Sequence, residues 1–376
     1  MSRGTIIYVG NFELPDKNAA ANRVMNNGKI FRALGYRVVY LGTVRDELFN
    51  GVRLSDYDEN IFEEAYPTTT KLWIKHVFSA NNVENVAKSF TDVCLVIVYN
   101  LPYATYKAIK RAFRNIDIKI AYDCTEWNNY AEGSFLKRLY KRIDEFEIRF
   151  FLGKKTDNLI VISEMMKNQY SRSNVIKLPP LVDSSESIWH QAHMNHPESF
   201  EFCFAGTITN KERLDIIVKA ICDIDDPRLR LRVIGLSKEE YFLAYPEHQD
   251  LVNDNNRVLF MGKLSHSRTI QYTLSCDCYI FIRELSRKNM AGFPTKFAEA
   301  YTCGVPIIST DVSDIKQYAS DDRSLIIDDT SDNTVKDAML HMLSMNASKD
   351  KEKELNKSFD YHHYLGETEE WISRIR

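Results

Sequence analysis

The sequence predicts an α/β protein with two Rossmann-like, doubly wound domains that face each other across a cleft. Short runs rich in β-branched residues alternate with helical patterns, which is typical of parallel sheets covered by helices. This alternation begins again near residue 200, so two such units are expected. At 376 residues the chain is longer than one hydrophobic core usually supports, and its 44% of hydrophobic residues can fill two.

The first domain is predicted at residues 1–185. Residues 5–10 (TIIYVG) predict a buried strand, and residues 19–34 predict a helix that ends at Gly35. Further strands are predicted at residues 36–42, 94–99, 118–123 and 159–163.

The second domain is predicted at residues 198–360, after a polar linker at residues 184–199 that lacks clear periodicity. A strand at residues 200–206 is followed by a helix from about Leu214. The remaining strands are predicted at residues 229–235, 258–262, 278–282 and 305–310. In such sheets ligands bind beyond the carboxyl ends of the strands, where helix amino ends present unpaired N–H groups.

Charge and hydropathy exclude several classes of protein. The 49 basic and 52 acidic residues give a net charge of −3, which argues against a general electrostatic grip on nucleic acid or anionic lipid. The longest apolar stretch, residues 93–99, is far shorter than the roughly 20 residues of a membrane span, and the polar start is no signal peptide. We therefore expect a soluble, cytoplasmic protein whose seven scattered cysteines are reduced core thiols.

The strongest functional signal is the segment at residues 291–310 (AGFPTKFAEAYTCGVPIIST), which predicts a turn, a short helix and a buried strand. Glu299 is the only charged residue between Phe297 and Thr310. Burying a carboxylate among alanines and aromatics is costly unless donors such as a ribose diol bind it. The alternative is that Glu299 lies on a solvated helix face. The turn before the helix would bring backbone N–H groups and the Lys296 ammonium close to a diphosphate.

This segment resembles the donor-site motif of family-four retaining glycosyltransferases of the GT-B fold, of the bacterial surface-polysaccharide type, in the branch that writes it F-P-T-K-F-x-E. Other stretches resemble the same family in the same order, and the resemblance covers most of the chain. They are residues 10–24, with NAAANR at 18–23, and residues 123–127 (DCTEW), 158–164 (NLIVISE), 177–183 (KLPPLVD), 204–207 (FAGT) and 258–263 (VLFMGK).

The resemblance implies roles for individual residues. Glu299 would hold the donor ribose, and the diphosphate and sugar would meet the turn formed by Gly292, Phe293, Pro294, Thr295 and Lys296. The other implied donor-binding residues are Gly206 and Thr207 in a phosphate loop, Lys263 and Leu264 beside the base, and Ala19 and Ala20 at the first helix. The final helix, at residues 361–376, would pack back onto the first domain, as the family's last helix does.

The sequence departs from the family pattern at two places. Ala291 stands where family members usually carry a second glutamate, which leaves Asn289 or Glu284 to contact the transferred sugar. Thr207 stands where an arginine is common, so either of two nearby cations, Lys211 and Arg213, would neutralise the leaving diphosphate.

Sugar transfer through an oxocarbenium-like state requires stabilisation of the leaving phosphate and exclusion of water. Lys296, a second cation and helix amino ends are candidates for the first task, and closure of the two domains for the second. We expect no metal ion and no further cofactor beside the nucleotide-sugar co-substrate, since no Asp-x-Asp motif lies in a cleft position. Asp123 and Glu126, on a loop after a first-domain strand, are candidate acceptor-side catalytic acids or, alternatively, helix caps.

Three further patterns allow two interpretations each. His190, His193 and His196 suggest a metal site, but their spacing spreads them around a helix and favours a solvated linker. Cys276 and Cys278 share one face of a predicted strand and are expected in its core. A stripe in residues 136–150 could be core or, because basic residues flank it, could lie on an anionic membrane. Its apolar members are Leu136, Leu139, Ile143, Phe146 and Phe150.

Together with these residues, the resemblance implies retaining transfer of a hexose-type sugar from a nucleotide diphosphate donor, a UDP-sugar, to a glycan or lipid-linked acceptor in surface polysaccharide synthesis. Nucleic acid is not expected as a partner, and peripheral contact with the inner face of the plasma membrane is left open, as one of the two interpretations of the stripe in residues 136–150. The alternatives are a nucleotide-sugar epimerase, which shares the two-domain plan, and a non-catalytic partner subunit, which Ala291 keeps open.

Overall fold

The structure is a computed structural model that describes residues 2–15, 17–46, 49, 51–127, 135–194, 196–208, 211–319, 324–345 and 354–375. The chain divides into two compact units. The first contains Met1–Leu181 together with Tyr361–Arg376, and the second contains Val182–Asp360. Each unit is an α/β layer structure around a predominantly parallel sheet, so the predicted fold class is confirmed.

The first unit contains a sheet whose strands, within the described residues, are β1 (Thr5–Gly10), β2 (Arg37–Val44), β3 (Val52–Leu54), β4 (Ile61–Ala65), β5 (Val93–Tyr99), β6 (Lys119–Cys124), β7 (Asn158–Val161) and β8 (Asn174–Lys177). Their order is β3-β4-β2-β1-β5-β6-β7-β8. Neighbouring strands pair in parallel except β3 and β4, which are antiparallel at one edge. The central strands are continuous apolar runs because helices cover both faces of a parallel sheet.

The helices of the first unit up to residue 181 are α1 (Ala19–Ala33), α2 (Thr70–Val77), α3 (Asn81–Ala87), α4 (Tyr103–Ala112), α5 (Phe135–Phe151) and α6 (Glu164–Gln169). The side chain of Asn18 caps α1 by accepting a hydrogen bond from the Ala21 amide at 2.8 Å. Gly35 follows α1 with φ of 91°, a backbone conformation that suits glycine. The predicted helix at residues 19–34 is confirmed.

The second unit has six strands in the described part of the chain: β9 (Phe200–Ala205), β10 (Leu229–Ile234), β11 (Val258–Phe260), β12 (Cys278–Phe281), β13 (Ile307–Thr310) and β14 (Ser324–Ile327). They pair in parallel in the order β11-β10-β9-β12-β13-β14. Counted within the unit this is the order 3-2-1-4-5-6 of a doubly wound sheet. The chain reverses its direction of winding between β9 and β12, and such a reversal opens a crevice at the carboxyl ends of the strands.

The helices of the second unit are α7 (Leu214–Asp223), α8 (Lys238–Ala244), α9 (Gln249–Asn253), α10 (His266–Ser275), α11 (Arg287–Ala291), α12 (Thr295–Thr302), α13 (Ile315–Tyr318) and α14 (Asp332–Met345). Their apolar faces close a core around β9, β10 and β12, in which Phe202, Phe204 and Ile280 are fully buried. Cys276 and Cys278 are buried too, but Cys276 is the residue that caps the end of α10 and does not lie in β12, which begins at Cys278.

Residues 184–199, predicted as a polar linker, belong to the second unit. A short 3-10 turn, Ser187–Trp189, buries the Trp189 ring. The His193 ring then bonds the Leu274 carbonyl oxygen at 2.7 Å, and the Met194 amide donates to the Ser275 hydroxyl at 2.9 Å. The segment is therefore packed along α10. Its polar composition does not predict this packing, because only a few of its residues make the contacts.

The final helix, α15 (Leu365–Ser373), groups with the first unit. Its Trp371 side chain is fully buried in the core that contains β1 and α1. The indole Nε1 donates to the Asn174 carbonyl oxygen at 3.0 Å, and the Asn174 side-chain amide donates to the Trp371 carbonyl oxygen at 3.1 Å. The last segment of the chain thereby completes the edge of the first unit beside β8. Among the described helices, none has the length and apolar character required to span a membrane.

We predict that Trp371→Ala destabilises the first unit by roughly 3–5 kcal/mol, because it leaves a cavity and an unpaired Asn174 carbonyl. Trp371→Phe keeps most of the ring volume and loses only the indole hydrogen bond, so an intermediate loss is expected. Urea unfolding followed by circular dichroism measures both variants. Equal stability of Trp371→Ala and the parent chain would show that the last helix does not contribute to the core.

Candidate functional site

Three glycine turns meet at the carboxyl edge of the second sheet. The Gly206 amide donates to the Ile234 carbonyl at 2.9 Å, and the Gly235 amide donates to the Gly262 carbonyl at 2.8 Å. Gly235 has φ of 112°, and a Cβ atom on it would lie only 2.2 Å from the Gly206 carbonyl oxygen. Only glycine fits at this contact, which fixes the position of the predicted phosphate loop. Thr207, next in that loop, is exposed.

Glu299 lies on α12 with its side chain buried among apolar neighbours. Lys296 Nζ donates to its Oε2 at 2.7 Å, and His266 Nε2 donates to its Oε1 at 3.2 Å. Burial by itself raises the pKa of a carboxyl group, but the Lys296 ammonium and the His266 hydrogen bond outweigh burial and lower the pKa of Glu299 to about 2. The group is therefore an ionised acceptor at neutral pH, and the alternative of a solvated helix face is wrong.

His266 is a site residue that sequence reasoning missed. It is the first residue of α10, which begins after the loop that follows β11, and Ser265 caps this helix. The position could have been found by asking which helices begin at the carboxyl edge of the sheet, since α10 and α12 both do. That His266 reaches Glu299 follows only from the packing of α10 against α12.

The predicted turn before α12 contributes backbone rather than side chains. The Phe293 ring is buried against Phe297, Tyr318 and Phe359, so it is part of the core. Pro294 precedes the helix, and the amides of Thr295 and Lys296 belong to its first turn, where N–H groups have no partner within the helix. The Lys296 side chain is 34% exposed, so its ammonium reaches solvent while it contacts Glu299.

Lys211 and Arg213, the two cations predicted to neutralise the diphosphate, differ in their surroundings. Arg213 forms a forked contact with Asp215, at 3.1 Å and 2.8 Å, and a further ion pair with Glu284. These carboxylates raise its pKa and already balance its charge. Lys211 is half-buried two residues earlier, and Lys263 and Leu264 follow β11 at the same edge of the sheet.

Asn289 and Glu284, predicted to replace the family's second glutamate, differ in how exposed their side chains are. Ala291 is fully buried at the end of α11. The Asn289 side-chain amide donates to the Glu284 carbonyl oxygen at 2.8 Å, so this amide closes the turn before α11. The Glu284 carboxylate is about half exposed beside Arg213, which leaves Glu284 the more accessible of the two candidates.

In the first unit, the prediction that Asp123 lies on a loop is wrong. Asp123 lies in β6 and is fully buried, with its carboxylate 2.8 Å from Arg23 Nη2. Tyr8 and Asn27 also donate to it. The strand continues one residue beyond the predicted end and turns this side chain toward α1. Glu126, in contrast, is exposed in the segment after β6, and Ala19 and Ala20 lie in the first turn of α1.

Arg23 connects this buried carboxylate to the end of the first unit. Its Nη1 donates to the carbonyl oxygens of Leu178 and Pro179 at 2.9 Å and 3.3 Å. The guanidinium therefore fixes the segment after β8 to α1 and β6. The Asp123 carboxylate balances the charge of Arg23 and is fully buried, so it presents no free oxygen to an acceptor sugar. It lies within β6 and caps no helix.

The three histidines of the linker do not converge. His190 contacts the Ser184 carbonyl oxygen at 2.9 Å, whereas His193 contacts that of Leu274. Within the described residues, no group of three or more His, Cys, Asp and Glu side chains could hold a metal ion.

The chain is similar to known proteins in its second unit and in its fold. Residues 185–359 match the family model described as glycosyl transferases group 1. A comparison with curated protein sequences finds no match.

Among solved structures, sucrose-phosphate synthase from Thermosynechococcus elongatus is 13% identical, covers 99% of each chain and has a TM-score of 0.71. A glycosyltransferase from Rickettsia africae is also 13% identical, with 100% of this chain and 99% of that chain covered and a TM-score of 0.71. HepE of Anabaena, in complex with UDP and glucose, is 12% identical over 99% of this chain and 100% of that chain, with a TM-score of 0.66. At this identity the likeness establishes the fold, and the resemblance to GT-B glycosyltransferases is confirmed.

The burial of Asp123 generates a prediction about stability. Asp123→Asn leaves Arg23 buried without its counter-charge, so we expect a loss of roughly 3–5 kcal/mol in the free energy of unfolding. Glu126→Gln, three residues along at an exposed position, serves as the control and should change stability by less than about 0.5 kcal/mol. Urea unfolding at neutral pH separates the two, and similar values for both variants would contradict the buried ion pair.

The lowered pKa of Glu299 predicts a pH dependence. The folded pKa of about 2 lies below the ordinary value of 4.5, so the ionised carboxylate stabilises the fold above that ordinary value and loses this effect as pH falls toward 2. The difference in unfolding free energy between the parent chain and Glu299→Gln should therefore shrink by roughly 1 kcal/mol between about pH 6 and about pH 3.5.

Glu64→Gln is the matched control for this experiment. Glu64 is buried beside His76 in the first unit, and burial raises its pKa. A raised carboxyl pKa has the opposite sign, so the corresponding difference should not shrink on acidification. A pH-independent difference for Glu299→Gln would show that its carboxylate is not stabilised by Lys296 and His266.

Proposed function

We propose that this chain, whose residues 185–359 match the model of glycosyl transferases group 1, moves a hexose-type sugar from a UDP-sugar to a glycan or lipid-linked acceptor of surface polysaccharide synthesis in the cytoplasm. The transfer retains the anomeric configuration and uses no metal ion. The observation that carries the proposal is the buried, ionised Glu299 at the carboxyl edge of a doubly wound sheet.

Glu299 suits a ribose because of its remaining hydrogen-bonding capacity. An ionised carboxylate has about four acceptor sites, and Lys296 and His266 occupy two of them, one on each oxygen. Each oxygen can therefore accept one further hydrogen bond from a pair of adjacent hydroxyl groups. The low pKa keeps the group an acceptor at neutral pH, as binding to a diol requires.

The diphosphate is proposed to bind where the glycine turns and helix amino ends meet. Gly206 and Thr207 offer backbone amides, and Thr295 and Lys296 add the first-turn amides of α12. The Lys296 ammonium contributes positive charge, with Lys211 as the nearby second cation. These groups would stabilise the negative charge that develops on the leaving diphosphate. HepE of Anabaena, a structural neighbour, was crystallised with UDP-glucose, which supports a uridine donor.

Retention follows in this proposal from attack on the same face of the sugar that the diphosphate leaves. Asp123, one of the two candidate acceptor-side acids, forms a buried ion pair with Arg23. In this proposal the departing phosphate oxygens accept the proton of the acceptor hydroxyl. Glu126 is the exposed one of the two candidate acids.

One observation favours a second candidate function, that of a non-catalytic partner subunit which binds the donor without transferring it. Ala291 supplies no carboxylate, and Arg213 is balanced by Asp215 and Glu284. Incubation with UDP-sugars and candidate acceptors distinguishes the two functions: a glycosylated acceptor together with released UDP indicates transfer, whereas intact donor despite measurable binding supports the partner subunit.

We predict that Glu299→Ala abolishes the thermal stabilisation that the correct nucleotide sugar gives the parent chain. A ligand at about 100 times its Kd stabilises the folded state by roughly 2.7 kcal/mol, which a thermal-shift screen of UDP-, GDP- and ADP-sugars detects. Glu64→Ala is the control, since this buried glutamate, also beside a histidine, lies in the first unit. It should lower the melting temperature while the increment from ligand stays unchanged. A full ligand increment in Glu299→Ala would refute the ribose assignment.

A further inference from the structure

Several described side chains of helix α5 pack against the rest of the first unit, and they lie along one face. Tyr140 packs edge-on against Trp73 of α2 with ring centroids 4.8 Å apart. One turn further, Asp144 is buried and accepts a hydrogen bond from the Tyr103 amide at 2.8 Å. Ile148, another turn along, is buried as well. Residues at this four-residue spacing lie on the same side of a helix, so this side is the packed face.

The opposite side of α5 is an exposed apolar stripe. Its described members are separated by four, three and four residues, which places them in one row along the helix. They are Leu139, Ile143, Phe146 and Phe150, with exposed fractions of 46%, 51%, 53% and 55%. The interpretation of this stripe as core is wrong, because the fold uses the other face of the helix. Leu136 lies outside the residues whose side chains the structure describes.

Basic residues border this stripe. Arg138 and Arg142 are exposed along one edge, one turn apart, and Lys141 and Arg149 are half-buried on the same helix. The Arg149 guanidinium lies over the Phe150 ring at 5.1 Å, so the cationic and apolar groups are in contact.

Helix α2, which neighbours α5, also exposes apolar and basic side chains. It adjoins α5 through the contact between Trp73 and Tyr140. Leu72, Ile74 and Phe78, in or directly after α2, are exposed apolar residues, and Lys71 and Lys75, each next to one of them in sequence, are exposed as well. Two neighbouring helices thus combine exposed large apolar side chains with basic ones.

We propose that the exposed faces of α5 and α2 form a docking surface for an anionic lipid bilayer. Apolar side chains can enter the boundary between headgroups and acyl chains while the adjacent arginines and lysines contact anionic headgroups. The net charge of −3 shows that this attraction is local to the surface rather than a property of the whole chain. A second copy of the chain is a poorer occupant, since the basic edge of α5 would face another basic edge in an antiparallel symmetric contact.

The docking surface goes beyond the proposed function and is tested without turnover. The full chain is sedimented with vesicles of phosphatidylcholine alone and of an equimolar mixture with phosphatidylglycerol. We expect binding to the anionic vesicles, little binding to the neutral ones, and a decrease as salt is raised. Binding that is absent, or equal for the two vesicles, would overturn the proposal.

Two variants separate the apolar from the cationic contribution. Ile143→Ser with Phe150→Ser, and Arg138→Gln with Arg142→Gln, should each reduce binding to anionic vesicles roughly tenfold or more. Leu243→Ser, at a residue 85% exposed on α8 of the second unit, is the matched control and should bind as the parent does. Unchanged binding by both double variants would overturn the assignment to this surface.

Two further measurements keep the outcome specific. All variants should retain the parent's circular dichroism and its stabilisation by nucleotide sugar, so that loss of vesicle binding is distinguishable from failure of the proposed function. Size-exclusion chromatography tests the other occupant. A parent dimer that Ile143→Ser with Phe150→Ser converts to a monomer would assign the stripe to a second copy and overturn the proposal.

Discussion

The ionised carboxylate of Glu299, held between Lys296 and His266, is the interaction on which the candidate site depends. A buried acid without partners would bind a proton and lose its capacity to accept several hydrogen bonds. Here one cation and one imidazole N–H keep it charged and still leave acceptor sites on both oxygens. The same contact tethers the Lys296 ammonium near the first turn of α12, where positive charge and unpaired amides coincide.

The parallel sheet explains why these groups meet. The described strands of the second unit are parallel, so their carboxyl ends lie at the same edge of the sheet. This edge brings together segments that are far apart in sequence: the turns at Gly206, Gly235 and Gly262 and the first residues of α10 and α12. Close backbone contact between Gly206 and Gly235 leaves no room for side chains between these turns. The result is an edge rich in backbone N–H groups, which is the usual protein solution for binding phosphate.

The first unit uses its charges differently. Arg23 and Asp123 form a buried ion pair that joins α1, β6 and the segment after β8, and it is a structural feature rather than a reactive one. On its outside, the first unit exposes the apolar stripe of α5 with basic residues beside it. In these proposals the second unit contacts the sugar donor, and the first unit carries the docking surface for a lipid bilayer.

The sequence by itself determined the elements with strong local patterns. Continuous apolar runs marked β1, β5 and β9, Gly35 marked the end of α1, and residues 292–299 marked the site because turn, cation and lone acid are adjacent in the chain. The short strands β3, β4, β8 and β14 were missed, since their few residues carry too weak a pattern.

Only the tertiary structure decided which distant residues meet and which helix faces are covered. His266 and Glu299 are 33 residues apart and are joined by helix packing, and Asp123 is buried because α1 brings Arg23 over β6. The spacing of Ile143, Phe146 and Phe150 shows that they share a face, but not whether that face packs inward. The physical reason is that periodicity records the geometry of one helix, whereas burial depends on the surfaces that the rest of the chain brings against it.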